Sequence, residues 1–218
     1  MAEGGKVFAR IARRYDRINT LLSLGQDQKW RRTALDQLPP GRILDLGGGT
    51  GAANEVFGDR EVVTLDPAAE MLSLNPVAFR IVGAGEQLPF RDGPFDAVFS
   101  AYVFRNLDSV SATLEEIARV LRPGGRAGIV DLGRPEQGWR RSLHRAGTAV
   151  VLPTVGTLAG AREEYVYLNR SLDKLPPPED LLSGSSLSLL RTWRMGPLGF
   201  VYGAILENHA ESPRSSRS

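Results

Sequence analysis

Gly47, Gly49 and Gly51, with Thr50 inside the last pair, follow an apolar run that carries Asp45. Glycine has no Cβ, so it takes positive φ in a tight turn and lets a ligand approach the backbone closely. A helix opening near Ala52 would aim its free N–H groups at whatever lies over that turn. Asp66 closes the next apolar run, 61–65, and Pro67 follows it. A carboxylate at the end of the second strand of such a unit can accept both hydroxyls of a ribose. The spacing chooses between cofactors. G-x-G-x-G puts Gly51 one residue too early for the G-x-G-x-x-G fingerprint of dinucleotide sites. A nucleoside cofactor without a pyrophosphate is therefore expected.

Those residues need strands to carry them. Residues 43–46, 61–65, 79–82, 95–101 and 126–132 read as short apolar strands. The run at 95–101 is nearly continuous in apolar character, as a strand buried on both faces should be. Helices are expected at 27–38, 52–57, 68–74 and 110–121. Pro67 suits the first turn of the third of these. Strands alternating with helices imply a parallel sheet with right-handed crossovers. Ligands bind such sheets at the carboxyl ends of the strands, where the order reverses. That brings the loops 47–51, 66–67, 84–85 and 101–102 around one crevice. Residues 187–193 and 200–206 read as a terminal antiparallel hairpin.

The chain is expected to form one domain over 1–208. An N-terminal helical cap spans 1–40 and a cofactor-binding core 41–132. A helical insertion follows at 133–180, then C-terminal strands at 181–208 and a polar tail at 209–218. In the cap, Phe8, Ile11, Ala12, Tyr15, Ile18, Asn19 and Leu22 recur at helical spacing.

Composition bounds the function. There is no cysteine, hence no disulfide, Cys–zinc site or thiol nucleophile, and no metal cluster is expected. No apolar run approaches the ~20 residues of a membrane-spanning helix, and the N-terminus lacks the apolar core of a signal peptide. A cytoplasmic enzyme is the default. Residues 1–42 hold nine basic groups against four acids, and Arg134, Arg140, Arg141 and Arg145 form a second basic cluster. Such segments can meet anionic lipid, although a solvated helix face is an equal reading. No nucleic-acid signature accompanies them.

The strand–glycine loop–acid arrangement resembles the motif of class I S-adenosylmethionine (AdoMet) methyltransferases. More specific strings narrow it. F-A-R-I-A-R-R-Y-D-R-I-N…W-R-R (8–32), I-L-D-L-G-G-G-T-G (43–51), E-Q-L-P-F (86–90), F-R-N-L (104–107) and R-V-L-R-P-G-G-R (119–126) resemble the ubiquinone/menaquinone C-methyltransferases, the UbiE/MenG group. So do 131–135, 152–158 and 165–172.

The resemblance implies a Rossmann-like α/β fold with a mostly parallel seven-stranded sheet, helices on both faces and an N-terminal helical addition. It implies AdoMet as donor, contacted by Asp45, Gly47, Gly49, Thr50, Gly51, Asp66, Pro67, Ala84, Gly85, Ser100 and Ala101. It implies methyl transfer to a ring carbon of a prenylated quinol, demethylmenaquinol foremost. Arg105 would stabilise the phenolate, Asn106 and Tyr15 would orient the hydroxyl, and Asp16 is the candidate base. Peripheral contact at the inner face of the membrane and a homodimer are expected, with no nucleic acid. Two other readings stand beside it: a methyltransferase for a soluble phenolic, and a non-catalytic AdoMet-fold scaffold. Ala84 departs from the family, which often has Asp or Asn there to meet the adenine amino group.

Overall fold

The computed structural model describes residues 23, 25–133, 138, 139, 142, 146, 147, 176–196 and 199–209. The expected helix over 8–22, with Tyr15 and Asp16, lies outside the described residues, as do nearly all of the insertion at 135–175 and the tail beyond 209.

In chain order the elements are α1 (Asp27–Leu35), β1 (Arg42–Leu46), α2 (Asn54–Phe57), β2 (Glu61–Asp66), α3 (Ala69–Leu72), β3 (Phe79–Val82) and β4 (Phe95–Ala101). A short 3-10 turn (Phe104–Asn106) follows, then α4 (Val110–Val120), β5 (Leu121–Leu132), α5 (Pro178–Leu181), β6 (Leu187–Met195) and β7 (Val201–Asn208). Among the described residues seven strands form one sheet in the order β3-β2-β1-β4-β5-β7-β6. The first five run parallel, and β7 lies antiparallel between β5 and β6. This is the Rossmann-like α/β architecture implied by the motifs.

Side-chain alternation divides the core into two layers. Leu44 and Leu46 of β1 join Val63, Val98, Leu114 and Ile117 on one face. Ile43 joins Ala97 and Phe99 with Trp30, Ala34, Leu35 and Leu38 on the other. Asp45 shares the parity of Ile43, so it lies on the α1 side of the sheet. The α1 residues Trp30, Ala34 and Leu35 form the helix's apolar stripe, and Arg31 is buried beside them. Helix α4 is started by the Ser109 hydroxyl, which accepts from the Ala112 N–H at 3.2 Å.

Several boundaries differ from expectation. Strand β5 begins at Leu121 rather than 126, because Leu121 already pairs with Phe95. The Pro123–Gly124–Gly125 segment is absorbed as a register shift, with Gly124 at φ 73°. Helix α2 starts only at Asn54, since turns consume the residues before it, and Gly58 at φ 60° stops it. Helix α1 ends at Leu35, and turns carry the chain on to Leu38.

Candidate active site

The carboxyl ends of β1, β2, β3 and β4 open on one cavity of about 470 Å³. Its position is the switch point between β1 and β4, where the strand order reverses. Its size falls in the ordinary range for a small-molecule site.

The floor is the glycine loop. Gly47 and Gly49 take φ of 72° and 50°, and the Gly47 N–H donates to the Leu65 carbonyl at 2.7 Å. A Cβ at Gly48 would collide with the Asp45 carboxylate and come within 2.5 Å of the Thr64 methyl. A Cβ at Gly47 would collide with Val103. Both clashes involve packed side chains, so the loop is built for close backbone approach.

Asp66 ties this floor to the next wall. Its Oδ2 accepts from the Gly49 N–H at 3.0 Å and its Oδ1 from the Ala68 N–H at 2.8 Å. Burial pushes its pKa up, and those two N–H groups pull against it. Each carboxylate oxygen keeps a second lone pair for a ribose hydroxyl. Asn75, 1% exposed, braces the loop from behind. Its amide donates to the Gly49 carbonyl at 3.2 Å and accepts from Asn54 at 3.0 Å.

The remaining walls come from the loops after β3 and β4. Val82, Gly83, Ala84, Gly85 and Glu86 line the cavity together with Leu107 and Asp108. Glu86 joins the two loops by accepting from the N–H groups of Asp108 and Ser109 at 2.9 and 3.3 Å. Arg119 holds the following 86–90 stretch, donating to the carbonyls of Leu88 and Phe90 at 3.0 and 2.7 Å. Ala84 brings no polar side chain to this wall.

Asp45 is the most perturbed group at the floor. It is 2% exposed, and its Oδ2 has no hydrogen-bond partner. Burial raises its pKa to about 7; the Arg31 charge opposes that rise and Asp66 adds to it. Tyr102 sits at φ 65°, a left-handed conformation that costs a non-glycine residue energy and recurs at functional sites. Its ring lies under the Arg31 guanidinium, 5.2 Å away.

Of the expected contact residues, Asp45, Gly47, Gly49, Thr50, Asp66, Pro67, Ala84, Gly85, Ala101 and Asn106 line the cavity. Three expected residues do not. Gly51 lies beside Asn54 and Asn75 behind the loop. Ser100 faces the opposite side of the sheet from Ala101, and its hydroxyl is used on the Leu46 carbonyl at 3.0 Å. Arg105 turns to Asp131: its Nη1 lies 2.8 Å from Oδ1, with side chains 5% and 0% exposed. Burial still raises the Asp131 pKa, with Arg105 opposing. This buried pair anchors the loop after β4. Tyr15 and Asp16 are outside the described residues. Tyr102 and Asn75 carried no sequence signal for this site and Arg31 only its place in the W-R-R string, because their positions depend on contacts distant in the chain.

The donor set fits AdoMet. The loop leaves room for a nucleoside, Asp66 suits the ribose, and the G-x-G-x-G spacing matches a sulfonium nucleoside without a pyrophosphate. Asp45 Oδ2, Arg31 Nε and Asn106 Oδ1 are buried polar atoms without hydrogen-bond partners among the described residues, an unusual state for a finished interior. No group of His, Asp or Glu suited to a metal ion occurs among the described residues.

A family model described as the ubiE/COQ5 methyltransferase family matches residues 2–184. A demethylmenaquinone methyltransferase of Thermus thermophilus is 39% identical over 80% of this chain and 87% of its own length. A ubiquinone/menaquinone biosynthesis C-methyltransferase of Geotalea uraniireducens is 36% identical over 90% of this chain and 93% of its own. Among solved structures, a SAM-dependent methyltransferase from Thermotoga maritima aligns with a TM-score of 0.66 at 18% identity, covering 94% of this chain and 99% of that one. At that identity the likeness concerns the fold.

Proposed function

Because the chain belongs to the ubiE/COQ5 methyltransferase family, we propose that it methylates a ring carbon of a prenylated quinol, with demethylmenaquinol as acceptor. It is an AdoMet-dependent methyltransferase of quinone biosynthesis. One observation carries the naphthoquinol choice: a relative 39% identical over 80% of this chain bears the name demethylmenaquinone methyltransferase.

AdoMet supplies an electrophilic methyl on a sulfonium; the chain's residues do the rest. An aromatic carbon is a weak nucleophile until an adjacent hydroxyl is ionised. The acceptor must therefore be held with its carbon in line, ~3–3.5 Å from the methyl. Asn106, on the cavity wall, has a buried Oδ1 without a partner among the described residues. That oxygen can accept the quinol hydroxyl and orient its proton. Arg105 acts through structure: its backbone N–H and guanidinium both reach Asp131, which fixes the turn carrying Asn106.

A prenylated quinol resides in the bilayer, so the reading includes peripheral contact with anionic lipid through the basic N-terminal segment. No helix among the described residues is long and apolar enough to cross a membrane.

The test is incubation with AdoMet and a short-chain demethylmenaquinol, followed by mass spectrometry. A product heavier by one methylene is expected. Methylation of a soluble phenol in preference to any quinol would overturn the acceptor.

A further inference from the structure

Asn75 is a buried amide engaged at both of its ends. It is 1% exposed and stands just beyond the single turn of α3. Pro76 follows it, so the helix cannot run on. The Asn75 Oδ1 accepts from the Val77 N–H at 3.0 Å, the local turn that an asparagine commonly makes. Such a turn needs nothing more from the side chain and no burial. Here the same oxygen also accepts from the Asn54 amide at 3.0 Å, and Nδ2 donates to the Gly49 carbonyl at 3.2 Å. Arg80 of β3 donates to the Asn75 carbonyl at 2.6 Å. One residue thus ties the start of α2 and the glycine loop to the outermost strand of the sheet.

Gly49 is held from both sides. Its carbonyl meets Asn75, and its N–H donates to Asp66 Oδ2 at 3.0 Å. Gly49 and Asp66 line the cavity, whereas Asn75 does not. A glycine at φ 50° has conformations open to it that other residues lack. The bond to Asn75 closes off those alternatives from the carbonyl side. The packing behind the loop leaves no slack. A Cβ at Gly51 would collide with the Asn54 amide and come within 2.8 Å of Asn75 Oδ1.

We propose that Asn75 is a positioning residue for the donor's ribose, acting through Gly49 on Asp66. With the Gly49 carbonyl fixed, the glycine cannot turn, and its N–H stays on Asp66 Oδ2. One lone pair of that oxygen is then committed, and the other is free for a ribose hydroxyl. Without the Asn75 donor the loop is free to turn, and Asp66 keeps only its bond from the Ala68 N–H. The loss is felt first at the ribose hydroxyls, because the carboxylate that receives them is no longer oriented. This inference rests on AdoMet being the donor with its ribose at Asp66, and goes beyond that reading.

Calorimetry on the full chain tests it with two probes, S-adenosylhomocysteine and its dideoxyribose analogue, which lacks both ribose hydroxyls. Wild-type protein should favour the first by at least about tenfold, the scale of hydrogen bonds to a charged group. Asn75→Ala should weaken S-adenosylhomocysteine by about 5–10-fold, the scale of one lost hydrogen bond. It should leave the dideoxy analogue within about twofold, so the gap between the probes narrows. Asn75→Asp keeps the two acceptor bonds, which favour its ionised form, and loses only the donor to Gly49. It should narrow the gap in the same way, and it serves if the Ala variant does not fold. Equal loss for both probes would mean a merely structural role and overturn the proposal, as would no loss for either. Wild-type protein that binds both probes equally would overturn it together with the ribose assignment of Asp66. Wild-type protein that binds neither would overturn it by removing the donor itself.

Discussion

Asp66 and Gly49 are joined by a 3.0 Å hydrogen bond from the glycine N–H to Oδ2 of the carboxylate. The acid that suits a ribose is therefore also a clasp on the loop that the nucleoside must cross. Binding and loop order are coupled through one side chain.

Replacing Asp66 with Asn tests that coupling. The amide can accept on one side only, so either the Gly49 or the Ala68 bond is lost. We expect a loss of about 1–3 kcal/mol in stability and at least a tenfold loss in S-adenosylhomocysteine affinity. Urea melts and calorimetry on the same preparation would read both. Weakened affinity with unchanged stability would separate the two roles.

Gly48→Ala should be severe despite its small size. The added methyl meets the Asp45 carboxylate and the Thr64 side chain, both held in a packed interior. Overpacking of this kind costs about 1–3 kcal/mol. A lower melting temperature and lost donor binding are expected. Wild-type donor affinity in this variant would show that the loop yields more easily than its packing implies.

Breaking the Arg105–Asp131 pair should cost stability more than donor binding. Arg105→Met leaves Asp131 buried and uncompensated, at a cost of about 3–5 kcal/mol. Denaturant melts should fall by that amount, while S-adenosylhomocysteine affinity stays within about threefold. Turnover should fall with the displaced Asn106 turn. A fully active variant of wild-type stability would place neither residue in a supporting role.

Asp45 predicts a pH signature. Its folded pKa, about 7, stands above the ordinary carboxylate value of 3.8. The unfolded chain therefore releases this proton first as pH rises. The stability contributed by the neutral form is full below the unfolded value and is lost as pH climbs toward about 7. In the donor-free protein, Asp45→Asn should flatten that decline when melts at about pH 5 and about pH 8 are compared. Asp66 lies nearby and Arg31 faces Asp45, so some slope will persist. Parallel pH profiles for the two proteins would contradict this role.

Much of the site could be read along the chain because its parts are short-range. The glycine turn, the acid at the end of β2 and the alternation of strand and helix each depend on residues within a few positions. Backbone geometry then forces their arrangement. Ser100 and Ala101 are neighbours in β4 and point to opposite faces of the sheet, and only one of them reaches the cavity. Ala101 does, and Ser100 bonds Leu46 across the sheet.

What the chain determined unaided was the sheet, the loop and the acid, since propensity, periodicity and φ freedom are properties of neighbouring residues. What folding alone decided was which charges meet. Arg105 reads as the cation for the substrate's phenolate beside Asn106, yet it is buried against Asp131. Arg31 reads as one arginine of a basic helix, yet it ends inside the cavity with Asp45 and Tyr102. Such pairings come from separate elements packed on the same face of a sheet. Burial then strips away the water that would have made those charges indifferent to one another.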